Sequence, residues 1–197
     1  MDFKDKLEEW MKLDYILPED IPNIDLYMDQ ITTFMDSELK NTKRFEGDKI
    51  LTKTMINNYS KSKLLPPSMK KKYSQNHLIL LIYIYYMKNF LSIADIKDLL
   101  QPLTDTFYTD EKDLSFSEIY EEIFALEQSQ NHVIKDSVLK AFDTANTTFK
   151  DVKDKDEQKK LHLFSFITLL GYDIYSRKQL IERIIDELFI DDTEKEK

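Results

Sequence analysis

The sequence predicts an all-α protein, and three observations carry that reading. Across 197 residues only two glycines (Gly47 and Gly171) and five prolines (Pro18, Pro22, Pro66, Pro67 and Pro102) interrupt the chain, so long stretches carry no helix breaker. Apolar residues recur at spacings of three and four, as in Ile24, Met28, Ile31, Met35 and Leu39, which puts them on one helix face. Charged residues make up 33% and hydrophobic residues 42% of the chain, a balance that suits a folded, solvated domain.

The elements follow in order. Residues 1–20 read as an N-terminal helix or extension, and its start, MDFKDKLEEWMKLDY, lacks the apolar core and cleavage site of a signal peptide. A cytoplasmic location is expected, and the absence of cysteine excludes disulfides, iron–sulfur clusters and thiolate zinc sites. After Pro22 an amphipathic helix runs through IDLYMDQITTFMDSEL. Gly47 ends a polar connection, and Thr52 is placed to cap a short helix to about Lys61, which LLPP stops because a residue before proline disfavours helix. Ser74 caps QNHLILLIYIYYMKNF, and Ser92 caps IADIKDLL, expected to end at Pro102. The run Leu78 to Met87 is ten consecutive apolar or aromatic residues, too few for a membrane span of about 20, so it predicts a helix buried all round.

Beyond Leu103 the pattern stays helical. Ser115 with Glu118 forms a capping box before a helix whose Phe116, Ile119, Ile123 and Leu126 share a face. Apolar spacing resumes at Val133, Val138, Phe142 and Phe149, as one long helix or as two with a break. Ser176 with Gln179 repeats the capping pattern before LIERIIDELF.

Charge divides unevenly. Segments 1–48, 49–97 and 98–197 carry balances of −7, +8 and −10, and no acid stands between Leu51 and Tyr73. Such an island makes a directed local field in a chain too acidic for indiscriminate adhesion to nucleic acid. Within it, Met55, Ile56, Tyr59 and Ser60 turn toward a core. Lys53, Asn57 and Lys61 recur every four residues on the opposite stripe, with Thr54 and Asn58 beside them. Asparagine can read an adenine edge, and lysine and threonine can hold phosphates, so this stripe has the composition of a recognition helix. It also has the composition of an ordinary solvated helix face.

The order of these elements resembles the winged helix-turn-helix of the MerR transcription regulators. MINNYSKSKLLPP is similar to their recognition helix and its leucine–proline corner, with Ile56 and Tyr59 at matching positions; Lys71 and Tyr73 stand where a wing Arg and Tyr stand; and FLSIADIKDLL matches the element after the wing. The resemblance covers Leu51 to Leu100. Asn57 replaces an arginine, Lys63 a glycine, and the wing is short or degenerate, without its usual glycine. Lysine cannot make the bidentate phosphate contact of arginine. The whole chain, including IPNIDLYMDQITTFM, also resembles a bacterial domain-of-unknown-function family, DUF1836.

These resemblances imply a DNA-binding domain over residues 21–102 and a helical dimerisation or effector region over 103–197. Double-stranded DNA and a second copy of the chain are the expected partners, with no membrane partner and no effector specified. Lys53, Thr54, Asn57, Asn58 and Lys61 would face the major groove, with Lys63 beside them and Lys70, Lys71 and Lys72 on phosphates. Tyr59 would pack behind and offer its hydroxyl to a phosphate. No enzyme, cofactor or metal is expected: His77, His132 and His162 are far apart, no glycine-rich phosphate loop occurs, and the acidic clusters lack a calcium-loop pattern. A protein-interaction module that has lost DNA binding is the alternative.

Overall fold

The computed structural model describes residues 3–11, 15–109 and 113–189. Its described residues form seven α-helices and one small antiparallel sheet: α1 (Phe3–Trp10), β1 (Leu26–Tyr27), α2 (Met28–Glu38), α3 (Lys53–Lys61), β2 (Lys72–Tyr73), α4 (Gln75–Met87), α5 (Ile93–Phe107), α6 (Phe116–Ala145) and α7 (Lys155–Leu188). Two compact units share them, residues 13–125 with 182–197, and residues 1–12 with 126–181.

The first unit is built on α4. Leu78 through Ile84 are all buried, so this helix has no polar face to turn outward and other elements pack on every side. Ile31 and Met35 from α2, Leu39 at its C-cap and Ile56 from α3 are fully buried in the same unit. Among the described residues no helix is long and apolar enough to cross a membrane. Ile16 is tied in twice, its N–H donating to the Tyr86 hydroxyl at 3.2 Å and its carbonyl accepting from the Tyr120 hydroxyl at 2.7 Å.

Caps fall where short polar side chains precede apolar runs. Thr52, Ser92 and Ser115 each accept from a backbone N–H three residues on, at 3.1 to 3.2 Å. At Ser74 the reciprocal arm is His77, whose Nδ1 accepts the Ser74 N–H at 3.0 Å.

Three boundaries depart from the periodicity, and one open choice is resolved. The helix expected from Ile24 begins at Met28, because Leu26 and Tyr27 pair with Tyr73 and Lys72; Ile24 is 67% exposed and belongs to no apolar face. Helix α5 passes through Pro102 to Phe107. Pro102 is exposed, so its ring and missing N–H lie on the solvent side, where an interrupted backbone bond costs least. One uninterrupted α6 resolves the open choice over Val133 to Phe142, with Phe149 beyond its end. Ser176 and Gln179 cap nothing, since α7 is continuous there and the Arg177 side chain bonds Asp173 at 3.0 Å across the expected boundary.

In the second unit, Leu7 of α1, Ala145 of α6 and Phe166 of α7 form a small core with Phe3 and Phe142 packed against it. Ion pairs Lys4–Asp143 and Lys135–Glu8 flank it.

Candidate nucleic-acid interface

Helix α3 separates two faces. Ile56 and Tyr59 are buried and Met55 and Ser60 half-buried, whereas Lys53, Thr54, Asn57, Asn58 and Lys61 are all exposed. The outer face therefore presents two ammonium groups, two carboxamides and a hydroxyl, with no carboxylate of its own. Tyr59 is only 7% exposed and its hydroxyl is pushed above its usual pKa by burial. Its ring supports the helix from behind.

The end of α3 is a Schellman motif. Leu64 N–H reaches the Tyr59 carbonyl at 2.9 Å and Lys63 N–H the Ser60 carbonyl at 3.2 Å, a pattern that requires the residue between helix and exit to be left-handed. That residue is Lys63, at φ 60°, so lysine occupies the conformation that glycine favours. Leu64 and Leu65 then turn into the core.

A hairpin of minimal size follows. Met69 and Lys72 exchange backbone hydrogen bonds at 3.0 and 2.9 Å, and the two residues between them, Lys70 and Lys71, have φ of 50° and 65°. Positive φ at both central positions is the signature of a type I′ turn, normally filled by Asn-Gly. Here two exposed lysines fill it. Lys72 is half-buried, with its Nζ 5.5 Å above the Tyr27 ring.

The start of α2 links hairpin and helix. Tyr27, paired with Lys72, immediately precedes α2, and Asp29 in its first turn forms a close ion pair with Lys53 at the first position of α3. Ten expected residues thus divide by setting: five on the outer face of α3, Lys63 at its exit, Lys70 and Lys71 at the hairpin tip, Lys72 against Tyr27, and Tyr59 inside. Asp29 and Tyr27 escaped the sequence reading because both lie outside the basic island, and nothing in their spacing ties them to it.

Two other members of the island have structural duties. Lys88 is half-buried, donates to the Ile50 carbonyl at 2.8 Å, and is held below the usual lysine pKa by burial. Asp95, the one acid of the segment, accepts the Ser92 N–H at 3.0 Å in the α5 cap. Among the described residues no group of histidines and carboxylates is arranged to hold a metal ion.

His77 holds the base of the hairpin. It is 4% exposed, and its Nδ1 lies 3.0 Å from the Ser74 N–H and 2.7 Å from the Tyr108 hydroxyl. Nε2 is buried with no hydrogen-bond partner among the described residues. Burial holds the ring below the usual histidine pKa, against the opposing pull of the Pro66 and Pro67 backbone and of Asp25. Burial likewise pushes Tyr108 up to about 12.

The basic helix with its lysine-tipped hairpin defines a small helical domain with one donor-rich, acid-poor face. The chain belongs to the family described as Domain of unknown function (DUF1836), whose sequence model matches residues 16–123. That span lies inside the stretch 13–125 of the first compact unit. No curated protein and no solved structure matches the chain.

Proposed function

We propose that this protein is a cytoplasmic, sequence-specific DNA-binding transcriptional regulator of the MerR-like helix-turn-helix type, acting as a dimer. The observation that carries the reading is the hairpin tip. Two successive lysines held left-handed cost stability that Asn-Gly would not, and strain of this kind is kept where a side chain has work to do. Helix α3 enters the major groove by its exposed face, with Asn57 and Asn58 on base edges and Lys53, Thr54 and Lys61 on phosphates or guanine acceptors. Lys70 and Lys71 hold the adjacent backbone, Lys63 adds a further donor at the helix exit, and Lys72 supports the tip from its place over Tyr27. The Lys53–Asp29 pair is exposed on both sides, so exchanging the carboxylate for a phosphate gives up roughly 1 kcal/mol or less.

A second reading, a protein-interaction module that has left DNA, is favoured by two observations. The link between α2 and α3, residues 39–52, is longer than the turn of about three or four residues in a standard helix-turn-helix, and Asp29 already engages Lys53. Retention of sheared genomic DNA by the purified full chain at about 0.15 M salt, followed by sequencing, separates the two. Recovery of one shared, two-fold symmetric site supports the regulator. Recovery of nothing above background, with no binding at low salt, removes it in favour of an acidic protein partner.

A further inference from the structure

Helices α6 and α7 do not close on each other along their whole length. Phe142 and Phe166 meet edge to face at 5.3 Å in the core of their unit. Beside that core, positions 137, 141 and 144 of α6 carry Ser, Ala and Thr, spaced four and three apart on one face. Side chains that short leave the space beside α7 unfilled, and a cleft of about 580 Å³ runs there. Its volume is that of a small-molecule site, about 300–1,000 Å³. Its lining residues lie between Ile134 and Arg177, within one compact unit and outside the stretch 16–123 that the family model matches.

The lining sorts by chemistry. Val138, Ala141 and Leu170 form an apolar floor that is also the outer layer of the unit's core, so packing holds it in place. Ile134 and Leu169 extend it along the walls. Polar groups stand around it: Ser137 and Lys140 from α6, Tyr172, Ser176 and Arg177 from α7. Lys140 Nζ pairs with no described carboxylate. Among the described residues Asp173 is the one carboxylate of the lining, and Arg177 Nε already engages both of its oxygens, at 3.0 and 3.1 Å. No described group engages the two terminal guanidinium nitrogens. The site thus sets two cations against one neutralised anion, the reverse of what a cationic guest needs.

We propose that this cleft binds a free, single-chain amphipathic anion, its aliphatic tail along Val138, Ala141 and Leu170 and its carboxylate held by Lys140 and Arg177. The α6 wall runs from Ile134 to Thr144, about 15 Å at 1.5 Å per helical residue, which is room for one medium-length tail. Fixed apolar walls with a few uncommitted polar groups are what such a ligand needs: burial supplies affinity and the two cations set its orientation. A neutral guest would leave both cations unused, and a cationic one would have to draw Asp173 away from Arg177. The inference stands whether or not the protein binds DNA.

Calorimetric titration of the full chain with dodecanoate, kept below its micellar concentration, is expected to show a single saturable site per chain. Dodecyltrimethylammonium, with the same tail and the opposite charge, should bind about tenfold more weakly or worse. Ser137 is exposed, so Ser137→Phe fills the cleft from its rim without entering the core, and should abolish binding with unchanged helical circular dichroism. Lys140→Gln should weaken dodecanoate about tenfold and leave dodecyltrimethylammonium unchanged, whereas Lys71→Gln in the basic island should alter neither. No saturable binding of dodecanoate, equal binding of the two amphiphiles, binding that survives Ser137→Phe in a folded chain, or equal losses from Lys140→Gln and Lys71→Gln would overturn the proposal. Attachment to phosphatidylglycerol vesicles that Ser137→Phe abolishes would also overturn it, by assigning the tail to a bilayer lipid. Should Ser137→Phe disturb the fold, the two lysine variants decide, since both side chains are exposed.

Discussion

Lys63, Lys70 and Lys71 hold φ of 60°, 50° and 65°, a region that costs an ordinary L-residue roughly 1–2 kcal/mol and glycine almost nothing. Lys63→Gly should therefore raise unfolding stability by about 1 kcal/mol, read as a higher urea midpoint at unchanged slope. Its Schellman hydrogen bonds stay in place, because they come from the backbone. An unchanged or lower midpoint would show that the lysine side chain holds the exit. His77 sets a pH dependence. With Nδ1 accepting from Ser74 N–H, the neutral ring carries its proton on Nε2, and protonation would set donor against donor. Its native pKa lies below the usual histidine value, so the unfolded chain binds the proton first as pH falls. This contribution is complete above pH 6.5 and is lost as pH drops from there toward the lowered native value. His77→Gln should flatten the fall in urea midpoint below about pH 6.5; an equal fall in both proteins would assign it elsewhere.

At the scale of elements, α4 anchors its unit, and Leu81, fully buried, tests it. Leu81→Ala should cost about 2–5 kcal/mol by denaturant unfolding, where an exposed position such as Lys61 should cost almost nothing. This helix was legible in the sequence because an unbroken apolar run leaves no face for water; Leu78 to Ile84 are buried, and Tyr85, Tyr86 and Met87 at its end are half-buried. The α3 face was legible for the complementary reason: a 3.6-residue period sorts Ile56 and Tyr59 from Lys53, Asn57 and Lys61 without knowledge of the neighbours. Pairing across the chain was not legible. Leu26 and Tyr27 leave the helical period to meet β2, and Asp29 reaches a lysine 24 positions away. Local signals also misled where context outvoted them: Pro102 is tolerated because it faces solvent, and the Ser176–Gln179 capping pattern is overridden in a helix that Asp173 and Arg177 bridge. The hairpin tip was hidden because lysine carries no sign of left-handed backbone, so the stretch resembled only a short or degenerate wing.

For the whole molecule the division of charge matters more than its sum. A net −9 chain repels DNA at long range, so on the proposed reading attraction comes from the island between residues 49 and 97 within about a Debye length, ~8 Å at physiological salt. That reading puts selectivity and attraction in different residues. Asn57→Ala should weaken the best site far more than random DNA, by about 1–3 kcal/mol, whereas Lys71→Ala should weaken both alike. Equal losses from Asn57→Ala on the two DNAs would remove Asn57 as a base reader. The most direct measurement is fluorescence anisotropy of the full chain on duplex DNA across a salt series. Binding whose log affinity falls linearly with log salt, at about 0.9 per phosphate neutralised, and whose slope shrinks by about one in Lys71→Ala, is the expected result. Absence of binding at low salt, or a slope that Lys71→Ala leaves unchanged, would contradict a DNA-reading role for the basic helix and its lysine-tipped hairpin.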